Sequence, residues 1–260
     1  MSRYKSYERL HIELRQRVLH ITLNRPEKLN AVDAKMHAEL STVFDAANLD
    51  AEVDMIVLGG AGKSFSAGGD AQWMVELIEV EGEWKRKAVE SRRIWLSLLD
   101  LEKPIICKIQ GAVRGMCATV MSLCDVVIAA DDAHIADTHV DIGLAAADGC
   151  NAIWPFLLGF AKAKDLLFNA RVIGAREACV LGLVTKVVPL SELEANVDDY
   201  VSGLKTKPIR ALQQSKMAIN FQMKQLVLPS LESGLNLLEM SNFSQEHRDR
   251  VNAFLARRPR

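Results

Sequence analysis

His139 and Asp148 lie nine positions apart in the stretch HIADTHVDIGLAAADGCN, His134 to Asn151, with a glycine and a run of alanines between them. An imidazole, with an ordinary pKa of about 6.5, takes and returns a proton near neutral pH. A carboxylate close to it can orient the ring or carry a second proton. Held together in apolar surroundings, the two would be equipment for proton transfer. The competing reading makes His139 a satisfied loop histidine and Asp148, followed by Gly149, a turn former.

Two glycine-bearing segments offer a partner for such chemistry. SFSAGGD, Ser64 to Asp70, sets small residues directly after an expected strand, so that main-chain N–H groups can face a ligand without crowding. GAVRGMCATVMSLCD, Gly111 to Asp125, follows another strand, and its apolar portion reads as a short helix whose free N–H groups lie near Gly115 and Met116. Two donors converging on one carbonyl oxygen make an oxyanion hole. Two tight turns that merely serve the fold explain the same spacing. Other motifs fail. GGAGKS, Gly59 to Ser64, has Val57 where a phosphate loop needs its first glycine, and Phe65 stands where a dinucleotide fingerprint would end. Cys107, Cys117, Cys124, Cys150 and Cys179 are odd in number, without a CxxC pair or a histidine at metal-ligand spacing, and read as reduced thiols.

The elements that must position these residues follow from patterning. RVLHITLNRP, DMIVLGG, KPIICKIQG, DVVIAAD and VTKVVP are short strands closed by proline, glycine or aspartate. Asp33 is placed to cap a helix carrying Met36, Leu40, Val43, Phe44 and Ala47 on one face, with His37 on its surface. Strands alternating with helices predict an α/β fold whose parallel strands are covered on both faces. From Ser191 the chain turns helical: a capping box at Ser191 and Glu194, then helices opening after Pro208, Pro229 and Ser244. Their apolar stripes have no strands left to cover, which predicts packing on a neighbouring subunit. A division into residues 1–195 and a helical region 196–260 follows.

Composition narrows the class. In 260 residues, 49% are hydrophobic and the formal net charge is −1, which fits a soluble protein and argues against a strongly basic face for nucleic acid while leaving room for a local patch. No run suits a membrane helix or secretory signal, so a cytoplasmic protein is expected.

ITLNRPEKLNAVDAKM, GKSFSAGGDAQWM, KPIICKIQGAVRG, SLCDVVIAADDAHIA and RVIGAREACVLGLVTKVVP occur in an order and spacing that resembles the enoyl-CoA hydratase/isomerase, or crotonase, superfamily. The resemblance implies a spiral of ββα turns with a helical C-terminal region that builds trimers or dimers of trimers. It implies an acyl-CoA substrate, with no separate cofactor and no metal. Gly69 and Met116 would be the oxyanion donors, Met116 standing where the family commonly has glycine. The turn from Arg25 to Ala31, with Lys28 and Leu29, would meet the nucleotide of CoA, together with Ala67 and its neighbours Gly68 and Asp70. Gln72 replaces a common lysine.

The departures from the family matter for mechanism. Its hydratases position water with two glutamates, and those positions fall here on Thr119 and His139, which makes the standard two-glutamate hydration a poor expectation. Thr119 is instead expected to be a helix or pocket-lining residue, and Trp154 to be core or acyl-pocket wall. Asp148 stands where some members keep a functional aspartate, so His139 and Asp148 are the expected catalytic pair. The segment QWMVELIEVEGEWKRKAVESRRIWL would cover the acyl group, and Arg257, Arg258 and Arg260 would either reach a CoA phosphate on an adjacent subunit or form a solvated basic tail, the more common role for such a run. Hydrolytic C–C cleavage of a β-diketone and non-catalytic CoA binding are the alternatives.

Overall fold

A computed structural model describes residues 2–256. Arg257, Arg258 and Arg260 lie outside the described residues. The chain runs through β1 (Leu10–Arg15), β2 (Val18–Leu23), α1 (Ala34–Asn48), β3 (Met55–Gly60), α2 (Ala71–Glu79), α3 (Glu83–Asp100), β4 (Ile105–Ile109), β5 (Ala112–Arg114) and α4 (Met116–Ser122). It continues with β6 (Val126–Ala130), β7 (His134–Ala136), α5 (Cys150–Leu158), α6 (Phe160–Phe168), β8 (Ile173–Gly174), α7 (Ala175–Val180), β9 (Lys186–Val188), α8 (Leu193–Lys205), α9 (Ile209–Asn242) and α10 (Gln245–Ala256).

The strands form two sheets, one in the order β1-β2-β3-β4-β6-β9 and a small one in the order β5-β7-β8. All five strands legible in the sequence lie in the larger sheet and pair in parallel, while β1 joins its edge antiparallel to β2. The smaller sheet gives the fold its spiral. After β4 the chain enters β5, after β6 it enters β7, and after β3 it touches the same layer through a parallel bridge from Ser66 to Val113. Each turn thus crosses both layers before a helix returns it, the ββα repeat of the crotonase fold.

Burial explains which face each helix covers. Asp33 caps α1 by accepting from the Met36 N–H at 2.8 Å, and the expected apolar face, Met36 to Ala47, is buried with Leu19, Ile21, Ile56 and Leu58 of the sheet. The sheet's other face, carrying Val57, Ile106 and Ile128, is covered by Leu193, Val197 and Val201 of α8. The apolar stripe of α8 therefore serves its own sheet, and α8 straddles the expected boundary between residues 195 and 196. Ser191 is not its cap: a 3-10 turn spans Leu190–Glu192, and α8 starts at Leu193 with no side-chain cap. Pro229 opens no helix either. It lies inside the 34-residue α9, whose central residues Val227 and Leu231 are buried in the core, so tertiary packing carries the helix through the proline.

Candidate active site

The parallel register of the small layer lines up the residues singled out above. Ser66 pairs with Val113 and Val113 with Ile135, so the segments leaving these strands emerge side by side from their C-terminal ends. The first carries Gly68 and Gly69, the second Gly115 and Met116, the third Asp137 and His139. The Arg114 N–H donates to the Ser66 carbonyl at 3.1 Å and the Gly115 N–H to the Ala136 carbonyl at 3.1 Å, tying the three exits together. The N–H groups of Gly69 and Met116 make no hydrogen bond among the described residues. Met116 opens α4, where an unpaired N–H is expected, and its side chain fits with 9% exposure.

These groups face a cleft of about 620 Å³ lined by Gly69, Met116, His139, Lys87, Asp148 and Phe254, among others. Gly115 has φ +54°, and a β-carbon built there would stand 3.6 Å from Cε1 of His139 and 4.0 Å from Nε2. The imidazole therefore lies directly against the backbone that presents the Met116 N–H. Trp73, Met74, Leu77 and Trp84 of α2 and α3 form an apolar wall, from the segment expected to cover the acyl group. Arg250, Ala253 and Phe254 of α10 close another side, so the chain's last helix reaches its own cleft.

His139 has a carboxylate partner, and it is not Asp148. Oδ1 of Asp137, fully buried, accepts from the His139 backbone N–H at 3.1 Å and lies 2.5 Å from Nδ1. Burial pushes the imidazole pKa down, but the charge and hydrogen bond of Asp137 outweigh it and hold the value above the ordinary one. Burial likewise pushes Asp137 up, and its contacts with His139 bring it below the usual carboxylate range. With Nδ1 committed, Nε2 is the nitrogen left for chemistry.

Asp148 is committed elsewhere. Its Oδ2 lies 3.0 Å from Nζ of Lys87 on α3, with 6% and 7% of the two side chains exposed. No local pattern on α3 singles out Lys87, because the partner it meets lies sixty-one residues away in the chain. Thr119 does not line the cleft. Its hydroxyl donates to the Asp148 carbonyl at 2.7 Å, and it borders a separate void of about 10 Å³, the size of one water, shared with Asp148, Met116 and Ser91. Gly149 makes this packing possible: at φ +121°, a β-carbon would fall 1.9 Å from Cγ2 of Thr119.

The turn expected to meet CoA is rigid. Leu29 and Asn30 both adopt left-handed backbone, at φ 50° and 54°. Asn30 holds the turn through Nδ2 donating to the carbonyls of Ala61 and Ser64 at 2.8 Å, while its Oδ1 accepts from the Arg25 N–H. Ala67 N–H donates to the Leu29 carbonyl, which brings Lys28 and Leu29, both exposed, beside the cleft edge at Ala67 and Gly68. Ala31 and Asp70 have other work. Ala31 is buried with its carbonyl accepting from Arg25, and Asp70 caps α2 and pairs with both terminal nitrogens of Arg25 at 3.2 Å.

His37 corrects the expectation of a surface residue. It is fully buried, its Nδ1 2.6 Å from Glu90 and its Nε2 3.2 Å from the Ser91 hydroxyl, and burial pushes its pKa down against the pull of Glu90. The Ser–His–acid order is that of a hydrolase triad, yet none of the three lines the cleft. Trp154 is core, its Nε1 donating to the Ser122 hydroxyl at 3.0 Å.

Comparison with known proteins agrees with this architecture. The family model described as enoyl-CoA hydratase/isomerase matches residues 13–260. A short-chain-enoyl-CoA hydratase of Clostridium acetobutylicum is 32% identical over 95% of this chain and 94% of its own. A 1,2-epoxyphenylacetyl-CoA isomerase of Escherichia coli is 29% identical, covering 93% of each. Among solved structures, an enoyl-CoA hydratase/isomerase from Mycobacterium paratuberculosis superposes with a TM-score of 0.88 at 29% identity, over 94% of this chain and 98% of that one.

Proposed function

The chain belongs to the enoyl-CoA hydratase/isomerase family, and on that premise we propose that it transfers a proton on an acyl-CoA thioester through an enolate-like anion, with His139 as the proton carrier. The observation that carries this is the alignment of three strand exits, which sets two unpaired N–H groups and the Asp137–His139 pair around one cleft.

The thioester oxygen accepts from the Gly69 and Met116 N–H groups. As a proton leaves the carbon next to the carbonyl, or a nucleophile adds to a conjugated double bond, negative charge builds on that oxygen and both hydrogen bonds strengthen. Nε2 of His139 removes or returns the proton while Asp137 accepts from Nδ1 and stabilises the imidazolium. No step asks for the paired glutamates of standard hydration: Thr119 is sealed against Asp148, and one proton carrier suffices for a double-bond shift. The Arg25–Ala31 turn with Ala67 receives the CoA portion, and no separate cofactor or metal is required. Trimers or dimers of trimers are the expected assembly.

A panel of enoyl-, hydroxyacyl- and epoxyacyl-CoA thioesters tests this, with product analysis by mass spectrometry and deuterium exchange at the carbon next to the carbonyl. Exchange or turnover that His139→Gln abolishes, with CoA affinity retained, is the expected result. A cyclic β-diketone opened to an acid while thioesters stay untouched would replace this reading by C–C hydrolysis. CoA binding without exchange on any thioester would leave a non-catalytic CoA-binding protein.

A further inference from the structure

The Lys87–Asp148 ion pair is unexplained by the chemistry above. Both residues line the cleft, yet neither hydrogen-bonds Gly69, Met116, Asp137 or His139 through its side chain. Taking two charges out of water is costly, and an apolar pair of the same volume often serves stability better. Trp73, Leu77, Trp84, Leu144 and Leu238 form the apolar part of the cleft wall, while Arg114, His139, Asn242 and Arg250 are among its polar lining. Lys87 Nζ also stands 5.2 Å from the centre of the Trp84 ring, which holds the ammonium in place from a second side. For an acyl chain of plain methylenes, two fixed charges in that wall would be a hindrance.

The pair has hydrogen-bonding capacity left over. An ammonium has three N–H donors, and among the described residues Lys87 gives one, to Oδ2 of Asp148. Oδ1 of Asp148 accepts nothing among the described residues, and it is not one of the sealed, partnerless atoms of the interior. A free donor and a free acceptor side by side suit a group that accepts and donates at once. A carboxylate would be repelled by Asp148 and an ammonium by Lys87, whereas a hydroxyl satisfies both.

We infer that the acyl group of the substrate carries a hydroxyl, away from the carbons that react, which accepts from Lys87 Nζ and donates to Oδ1 of Asp148. This assigns Lys87 and Asp148 as the residues that select the substrate, and it rests on the acyl-CoA reading.

Matched thioesters test it: hexenoyl-CoA against its ω-hydroxy counterpart, and cinnamoyl-CoA against its para-hydroxy counterpart. In the wild-type protein the hydroxylated member of at least one pair is expected to win in kcat/KM by about tenfold or more, the discrimination a site built for a hydroxyl readily exceeds. The variant protein is the double substitution Lys87→Met with Asp148→Asn, because either change alone would strand a buried charge. In it the preference should fall to within about threefold, with CoA affinity by calorimetry unchanged. Plain thioesters turned over as well as hydroxylated ones by the wild type would overturn the inference and leave the acyl-CoA reading intact, whether or not the double variant folds. A preference that survives the double substitution would also overturn it. If no thioester binds or reacts, both readings fall together.

Discussion

Replacing Asp137 by Asn removes a charge and almost no volume. Oδ1 of Asp137 receives both the backbone N–H and Nδ1 of His139, so the amide oxygen of Asn must occupy that place. Its NH2 then falls where Oδ2 is now, a buried position that meets no oxygen or nitrogen partner among the described residues, in a pocket the carboxylate shares with the Cys150 thiol. Hydrogen bonds to charged groups contribute roughly 1.5–3 kcal/mol, which sets the expected loss of stability where the pair is ionised. The pH window follows from the two shifts. Asp137, depressed in the folded state, contributes above its unfolded value of about 3.9 and loses that contribution as pH falls through the folded value. His139, raised in the folded state, contributes fully below about 6.5 and loses it as pH rises through the folded value. The stability gap between wild type and Asp137→Asn should therefore be widest between about pH 4 and 6.5 and shrink above it.

Urea melts at stepped pH measure that gap without adding the salt that would screen it. The same substitution acts on rate. Without Asp137, burial outweighs the smaller opposing influences of Asp148 and Lys87 on His139, so the limb of the kcat/KM profile belonging to the imidazole should move to lower pH. At the optimum the loss should be on the order of 10²-fold or more. A stability gap that stays flat from pH 4 to 9, together with an unmoved limb, would refute the assignment of Asp137 as the partner that tunes His139.

Three further outcomes are expected. Met116→Pro deletes one oxyanion donor at the first position of α4, where proline is tolerated, so kcat should fall by about 10²–10³ relative to Met116→Ala while circular dichroism stays unchanged. His37→Ala should lower stability by roughly 3 kcal/mol at pH 8 by opening a cavity and stripping Glu90 of its partner, as read by urea melts. Because the folded pKa of His37 is depressed, the wild-type contribution should be lost as pH drops below about 6.5. Light scattering should report a trimer or hexamer, since Ile219, Phe221 and Met240 of α9 are each about two-thirds or more exposed, and Phe221→Asp should shift the population to smaller species.

What was legible in the sequence divides along a physical line. Strands buried on both faces, such as Met55–Gly60, announce themselves by continuous apolar runs, and the cap at Asp33 and the glycine-bearing exits near Gly69 and Met116 are local signals. The small sheet was illegible because its strands are two or three residues long and hold their place by register with one another. His37 looked like surface because helix periodicity ranks faces by side-chain polarity. It is buried because Glu90 and Ser91, on a helix more than fifty residues later, supply the partners.

The pairing of His139 failed for the same reason in reverse. Asp148 stands out as the carboxylate across an apolar stretch, but its hydrogen bond goes to Lys87, sixty-one residues upstream, and only its charge acts on the imidazole. The effective partner stood two positions before His139. An aspartate whose carboxylate accepts the backbone N–H two residues on is an Asx turn, a motif visible in Asp137-Thr138-His139, and that same carboxylate meets the ring. A residue two positions away on a strand would point to the same side, but here the strand has ended at Ala136 and the turn brings both groups onto Oδ1. Local turn chemistry, read one step further, therefore carries more information about the imidazole than the long-range carboxylate did.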